Sequence, residues 1–244
     1  MELTITNILL STLFVSIGSL VQASTGLGGG LIIVPLLAMI SLDMIPGPMI
    51  FGSLALSASM AFYGKKEIEF TNMKPVLGGV LIGSIVATSF ISVLPLEKLG
   101  LVFGILILLM VILSIKTLNI PHTFNGSLAA GTLSGFLGTS AGVGAPILAL
   151  LYQHYSGTSL RATLAFLYFL SSVTMLVFLH LAGRFGVDEL ASGLMLVPGF
   201  VLGYLASPKL ARLIDKGLAR SAVLTLSALS ALVLIWRSVA VLNV

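Results

Sequence analysis

Two glycine-rich stretches hold the residues best suited to chemistry: Gln22-Ala23-Ser24-Thr25-Gly26-Leu27-Gly28-Gly29-Gly30, and Thr139-Ser140-Ala141-Gly142-Val143-Gly144-Ala145-Pro146. Each ends one apolar run and opens another. Clustered glycines interrupt a helix, and the helix that restarts after them begins with N–H groups that have no internal partner. Such donors, at the positive end of a helix dipole, suit an anion. Glycine also lets a ligand approach the backbone closely, and Pro146 fits a first helical turn, where its missing N–H costs nothing. The candidate binding set is Gln22, Ser24, Thr25, Gly28, Gly29 and Gly30 from the first stretch. Thr139, Ser140, Gly142, Gly144 and Ala145 come from the second. Ser57 and Ser171, in segments that also carry Ser53, Ser59, Ser172 and Thr174, are further donors. The plainer account is that the glycines only let helices pack closely and that the hydroxyls bond their own helix carbonyls.

Other chemistries find little support. Leu31 stands where a dinucleotide fingerprint needs its third glycine, and no Walker lysine follows either stretch. No His-Glu-x-x-His motif occurs, and neither a nucleophile–base pair nor two buried carboxylates are visible, so no enzyme is expected. Asp43, Glu97, Asp188, Glu189 and Asp215 fall at the ends of apolar runs or between them, which gives no basis for a carboxylate proton relay. His154 and His180 read as interfacial residues. Arg161 lies between two apolar runs, where it either draws anions to a mouth or only fixes topology. With no cysteine, thiolate metal sites and disulfides are excluded, and no cofactor or metal is expected.

These stretches must be positioned by a membrane-embedded scaffold. Of 244 residues, 57% are hydrophobic and only 8% charged, against about 25% charged in a soluble domain. Mean hydropathy is +1.16. The first charge-free run, residues 3–42, is about twice the length of one crossing, so it is two helical pieces with the glycines between them at mid-membrane. Backbone broken at that depth is tolerated only where it is buried in protein or lines a polar cavity. The N-terminus lacks the basic region and cleavage site of a signal peptide, so the first helix is expected to be part of the mature protein. The net charge of +4 reflects Lys and Arg in short loops and calls for no nucleic acid.

The expected fold is all-α: ten segments at 3–24, 28–42, 44–64, 75–96, 99–115, 124–139, 142–155, 162–183, 190–207 and 221–236. Segments 28–42 and 142–155 would rise only about 21–23 Å against a core of about 30 Å. The series repeats. Gly26-Leu27-Gly28 aligns with Gly142-Val143-Gly144, and Gly79 and Gly83 align with Gly199 and Gly203. One membrane domain over 1–244 is expected, made of repeat one at about 3–116 and repeat two at about 121–244. Five segments per repeat invert the second copy. With both termini outside, nine cations lie on the cytoplasmic side: Lys65, Lys66, Lys74, Lys116, Arg161, Lys209, Arg212, Lys216 and Arg220. Only Lys98, Arg184 and Arg237 lie opposite, which is the positive-inside bias of a multi-pass plasma-membrane protein. Inverted repeats with glycine-interrupted segments at matching places point to a secondary transporter.

The pattern Gly18-x7-Gly26-Leu-Gly28-Gly29-Gly30-x4-Pro35 resembles the first-repeat signature of the TauE/SafE sulfite-exporter family of membrane permeases. The pattern Gly131-x3-Gly135-x2-Gly138-x3-Gly142-Val-Gly144-Ala145-Pro146 is similar to that family's second signature, departing from it where Ala145 and Pro146 replace glycines. The resemblance implies transport of sulfite, organosulfonates or related small sulfur oxyanions. The expected partners are a small anionic substrate and the lipid bilayer, with a homodimer left open. An anion channel, a permease for another solute such as a carboxylate, and a non-transporting scaffold remain alternatives.

Overall fold

The structure is a computed structural model that describes residues 4–26, 29–115, 119–155, 157–210 and 216–242. Among the described residues there are ten α-helices and no strand. The first five are α1 (Ile5–Thr25), α2 (Gly29–Ile40), α3 (Gly47–Tyr63), α4 (Met73–Ser92) and α5 (Leu96–Ile115). They are followed by α6 (Phe124–Ala141), α7 (Ala145–Leu151), α8 (Gly157–Leu181), α9 (Val187–Leu210) and α10 (Lys216–Leu242). Each of the ten expected segments meets one helix. Among the described residues, five helices are long and apolar enough to cross a membrane: α1, α4, α5, α8 and α9. The helices after the two breaks are shorter than the charge-free windows implied. The twelve residues of α2 rise about 18 Å and the seven of α7 about 10 Å. Residues 152–155 are turn, because Tyr152 closes α7 with its N–H on the Leu148 carbonyl at 3.0 Å.

The outside of the bundle is apolar. Ile5, Leu9, Leu13 and Ile17 recur every fourth residue along one exposed face of α1, and Ile82, Ile85 and Val86, at i, i+3 and i+4, share an exposed face of α4. The inside is rich in small and hydroxylated residues: Ser19, Ser84, Ser127, Ser134, Thr139 and Thr163 are almost fully buried. Lipid gives no hydrophobic reward for hiding leucine, so close backbone approach and interhelical hydrogen bonds hold such a bundle together. The α4–α6 contact shows this directly. A Cβ at Gly79 or Gly83 would strike the backbone of α6, and one at Gly131 or Gly135 would strike the α4 backbone at Val76 or Val80. Thr139 Oγ1 adds a hydrogen bond to Ser84 Oγ at 2.9 Å. The α1–α9 contact is built alike. Gly199 and Gly203 press on the α1 backbone at Thr12 and Ser16, and Ser19 Oγ donates to the Phe200 carbonyl at 2.7 Å.

Among the described residues, the main helix contacts are kept when α1–α5 and α6–α10 exchange roles. The contact of α1 with α9 becomes that of α6 with α4, α3 with α9 becomes α8 with α4, and α2 with α10 becomes α7 with α5. The pairs α3–α8 and α5–α10 map onto themselves.

Polar ends are tied down locally. Arg184 Nη2 donates to the Ile91 and Leu94 carbonyls at 3.3 and 3.5 Å, closing the end of α4. Thr123 Oγ1 accepts the Gly126 N–H at 3.2 Å and caps α6. In the segment between α5 and α6, the His122 ring packs edge-on against Tyr152, 4.9 Å between centroids. Asn72 Nδ2 donates to the His122 carbonyl at 2.6 Å. Burial, with a smaller contribution from nearby His154, lowers the His122 pKa below its ordinary 6.5.

Candidate functional site

Each break is a helix end built around one left-handed glycine. Gly26 has φ +84°, and its N–H donates to the Gln22 carbonyl at 2.7 Å. Gly142 has φ +75°, and its N–H donates to the Gly138 carbonyl at 2.8 Å, while the Val143 N–H reaches the Leu137 carbonyl at 3.4 Å. That is the αL cap at the first break and a Schellman-like cap at the second. A side chain at Gly142 would also sit 3.1 Å from both Met49 Sδ and Val34 Cγ2. The chain restarts as α2 at Gly29 and as α7 at Ala145.

The two breaks meet through Tyr168 of α8. Its hydroxyl points at the Ala145 carbonyl at 3.1 Å and the Gly26 carbonyl at 3.3 Å. One buried O–H is shared between the end of α1 and the start of α7.

Beside this bridge lies a cavity of about 60 Å³. A site needs about 10–15 Å³ by this measure to hold a water, so there is room for a few waters or one small oxyanion. Backbone from both breaks lines it, at Gly30, Gly142, Gly144 and Ala145, together with Gly138. Its polar side chains are Gln22, Ser53, Ser134, Tyr168, Ser171 and Ser172. Met49, Ile50, Leu148 and Met175 form an apolar part of the wall. Among the described residues, no carboxylate, imidazole, ammonium or guanidinium belongs to the lining, so its polar side chains there are neutral dipoles.

Most of these hydroxyls are already engaged. Ser53 Oγ donates to the Ile50 carbonyl at 2.8 Å and Ser134 Oγ to the Gly144 carbonyl at 2.9 Å. Ser171 is different: it is 3% exposed, and its Oγ has no hydrogen-bond partner among the described residues. Tyr168, Ser171, Ser172 and Met175 share one face of α8 at helical spacing, which aims that face into the cavity.

Of the candidate residues, Gln22, Gly30, Gly142, Gly144, Ala145 and Ser171 come together on this wall. Gly29 lies immediately behind Gln22, where a Cβ would collide with the Gln22 side chain. Gly28 lies outside the described residues. Ser24 and Thr25 are not on the wall; their hydroxyls donate to the Leu20 and Val21 carbonyls of their own helix, both at 2.8 Å. Ser57 Oγ likewise donates to the Ser53 carbonyl at 2.9 Å. Thr139 is turned to α4, and Ser140 is fully buried, its Oγ without a partner among the described residues, but off the cavity wall. His154 and His180 are exposed; they contact Asn119 Oδ1 at 3.2 Å and the Phe185 carbonyl at 2.9 Å.

Sequence reasoning missed Tyr168 and Ser134. The available signal for Tyr168 was a phenol deep in an apolar segment, three and four residues before Ser171 and Ser172. A buried tyrosine hydroxyl needs a partner, and the carbonyls at two broken helices are the natural ones. Among the described residues, no three His, Asp or Glu side chains gather where a metal ion could be held.

A family model described as sulfite exporter TauE/SafE matches residues 10–234. No curated protein and no solved structure matches the chain.

Proposed function

Because the chain belongs to the sulfite exporter TauE/SafE family of multi-pass membrane transporters, we propose that it carries sulfite or a related small sulfur oxyanion across the cell membrane, holding it in the cavity between the two breaks. The observation that carries this reading is the Ser171 hydroxyl, buried, unpartnered and on the cavity wall. A buried donor left unsatisfied costs about 1–3 kcal/mol, so the site is arranged for a guest that accepts its hydrogen. Gln22 and the first-turn N–H of Gly30 supply further donors on the same wall. Neutral dipoles fixed in advance can replace the hydration shell of an anion without trapping it as a buried cation would.

The exchangeable packing of α1–α5 and α6–α10 supports a two-repeat transporter that works by alternating access. The site faces one side when the body around α1, α3 and α9 tilts one way against the body around α4, α6 and α8, and the other side when it tilts back. The loop charges favour both termini on the extracytoplasmic side, which places Lys65, Lys66 and Arg161 at the cytoplasmic mouth.

The test is a thermal-unfolding series on purified protein with sulfite, a short organosulfonate, a carboxylate of similar size and a neutral sugar. A ligand that binds only the folded state raises the midpoint, by about 2.7 kcal/mol of added stability at a hundred times Kd. A concentration-dependent rise with the sulfur oxyanions supports the reading. No rise with either, or an equal rise with the sugar, refutes it. Counterflow in liposomes then separates a carrier from a channel, since only a carrier exchanges labelled for unlabelled solute.

A further inference from the structure

Two turns before Tyr168 on the same face of α8, about 10 Å along the helix, stands Arg161. Its stem lies directly against the first break: a Cβ on Gly26 would sit 3.1 Å from Arg161 Cγ and 3.4 Å from its Cα. Its Nη1 turns back toward Gly157, at the start of α8, and Arg161 does not belong to the cavity wall. The residue is half-buried, and among the described residues no carboxylate pairs with it. The acidic residues of the adjoining loop meet α8 through their backbone instead. Ser159 Oγ donates to the Glu67 carbonyl at 2.9 Å, and Thr163 Oγ1 accepts the Glu69 N–H at 2.9 Å.

Topology alone would explain a cation at this end of the helix, but not one set half-buried beneath the break. Lys65 and Lys66, both exposed on the neighbouring loop, already supply surface charge. A partly desolvated guanidinium with no carboxylate is an arrangement that gains from a visiting anion, and its planar donor fork fits two oxygens of an oxyanion. We propose that Arg161 is the first docking point of the transported anion, which binds the guanidinium at the mouth and then passes Gly26 and Tyr168 to reach Ser171. This rests on the oxyanion-transport reading above and adds the residue that recruits charge to a cavity holding none. Arg161 acts on capture, whereas Ser171 acts on the held anion.

The experiment measures uptake of radiolabelled sulfite into liposomes by wild type, R161Q, R161K and K66Q. R161Q should raise KM about tenfold with kcat at saturation unchanged, because a mouth charge governs encounter more than the held state. R161K should stay within about threefold of wild type, and K66Q should match it. Wild-type KM should rise about threefold between roughly 20 and 300 mM inert salt as screening tightens, and R161Q should lose that dependence. An R161Q protein with wild-type KM at both salts refutes the docking role while leaving the cavity reading standing. So does a wild-type KM indifferent to salt, which decides the matter even if R161Q fails to fold. If wild type shows no saturable sulfite uptake and no sulfite-induced rise in midpoint, both proposals fall together.

Discussion

Replacing Ser171 by alanine should move stability and affinity in opposite directions. The Ser171 hydroxyl is buried without a partner among the described residues, so without ligand its removal takes away an unsatisfied donor rather than a bond. The low end of that penalty is about 1 kcal/mol, which corresponds to a midpoint about 2–4 °C higher for a chain of this size. In the loaded protein the same hydroxyl would donate to an anion, an interaction worth about 1.5–3 kcal/mol. Its loss weakens Kd by about 10- to 150-fold. At a sulfite concentration of a hundred times the wild-type Kd, ligand stabilisation should fall from about 2.7 kcal/mol to about 0.3–1.3 kcal/mol. Differential scanning fluorimetry of both proteins, with and without sulfite, reads the two quantities together. A S171A protein that melts lower than wild type when empty and keeps the full sulfite shift would show that the hydroxyl is a structural bond. The reasoning would then be refuted at its base.

Four further outcomes follow from the same geometry. Tyr168→Phe removes the O–H shared by the Gly26 and Ala145 carbonyls, and should lower stability by about 1–3 kcal/mol together with sulfite flux; an unchanged melt would show the bridge carries nothing. Gly142→Ala forces a side chain into φ +75° against Met49 and Val34, costing about 2 kcal/mol in the same melt. Gly29→Val drives Cβ into Gln22, and should abolish liposome flux while membrane yield stays normal; normal flux would count against the first break. The lowered pKa of His122 means the folded state favours the neutral ring. Its contribution to stability is therefore complete above the ordinary 6.5 and is lost as pH falls below it. Melts of wild type and His122→Gln from pH 7.5 to 5 (about the span over which the ring titrates) should show a steeper acid decline in wild type.

What the sequence revealed and what it hid divide along physical lines. Segment number and the two breaks were legible because charge is excluded from lipid and glycine clusters interrupt helices, and both effects act on consecutive residues. The pairing of Gly79 and Gly83 with Gly199 and Gly203 was visible as spacing, and the structure gives its cause: both pairs are contact faces on the partner helix of the other half. The direction of individual hydroxyls was not legible. Ser24 and Ser171 look alike in sequence, yet one bonds its own helix and the other belongs to the cavity wall with no partner among the described residues, because that choice depends on which helix stands opposite. The length of α7 was overestimated for a related reason. A charge-free window measures compatibility with an apolar setting, and residues 152–155 meet that condition as a turn packed beside His122.

The cross-packing of α1 with α9 and of α4 with α6 has a consequence for how such a chain is made. Neither run of five helices contains the surface its own glycine ridge needs, so each would be born incomplete and would wait in the bilayer for its counterpart. Severing the connection after α5 and supplying the pieces as two polypeptides should still yield one working unit, whereas either piece alone should not persist.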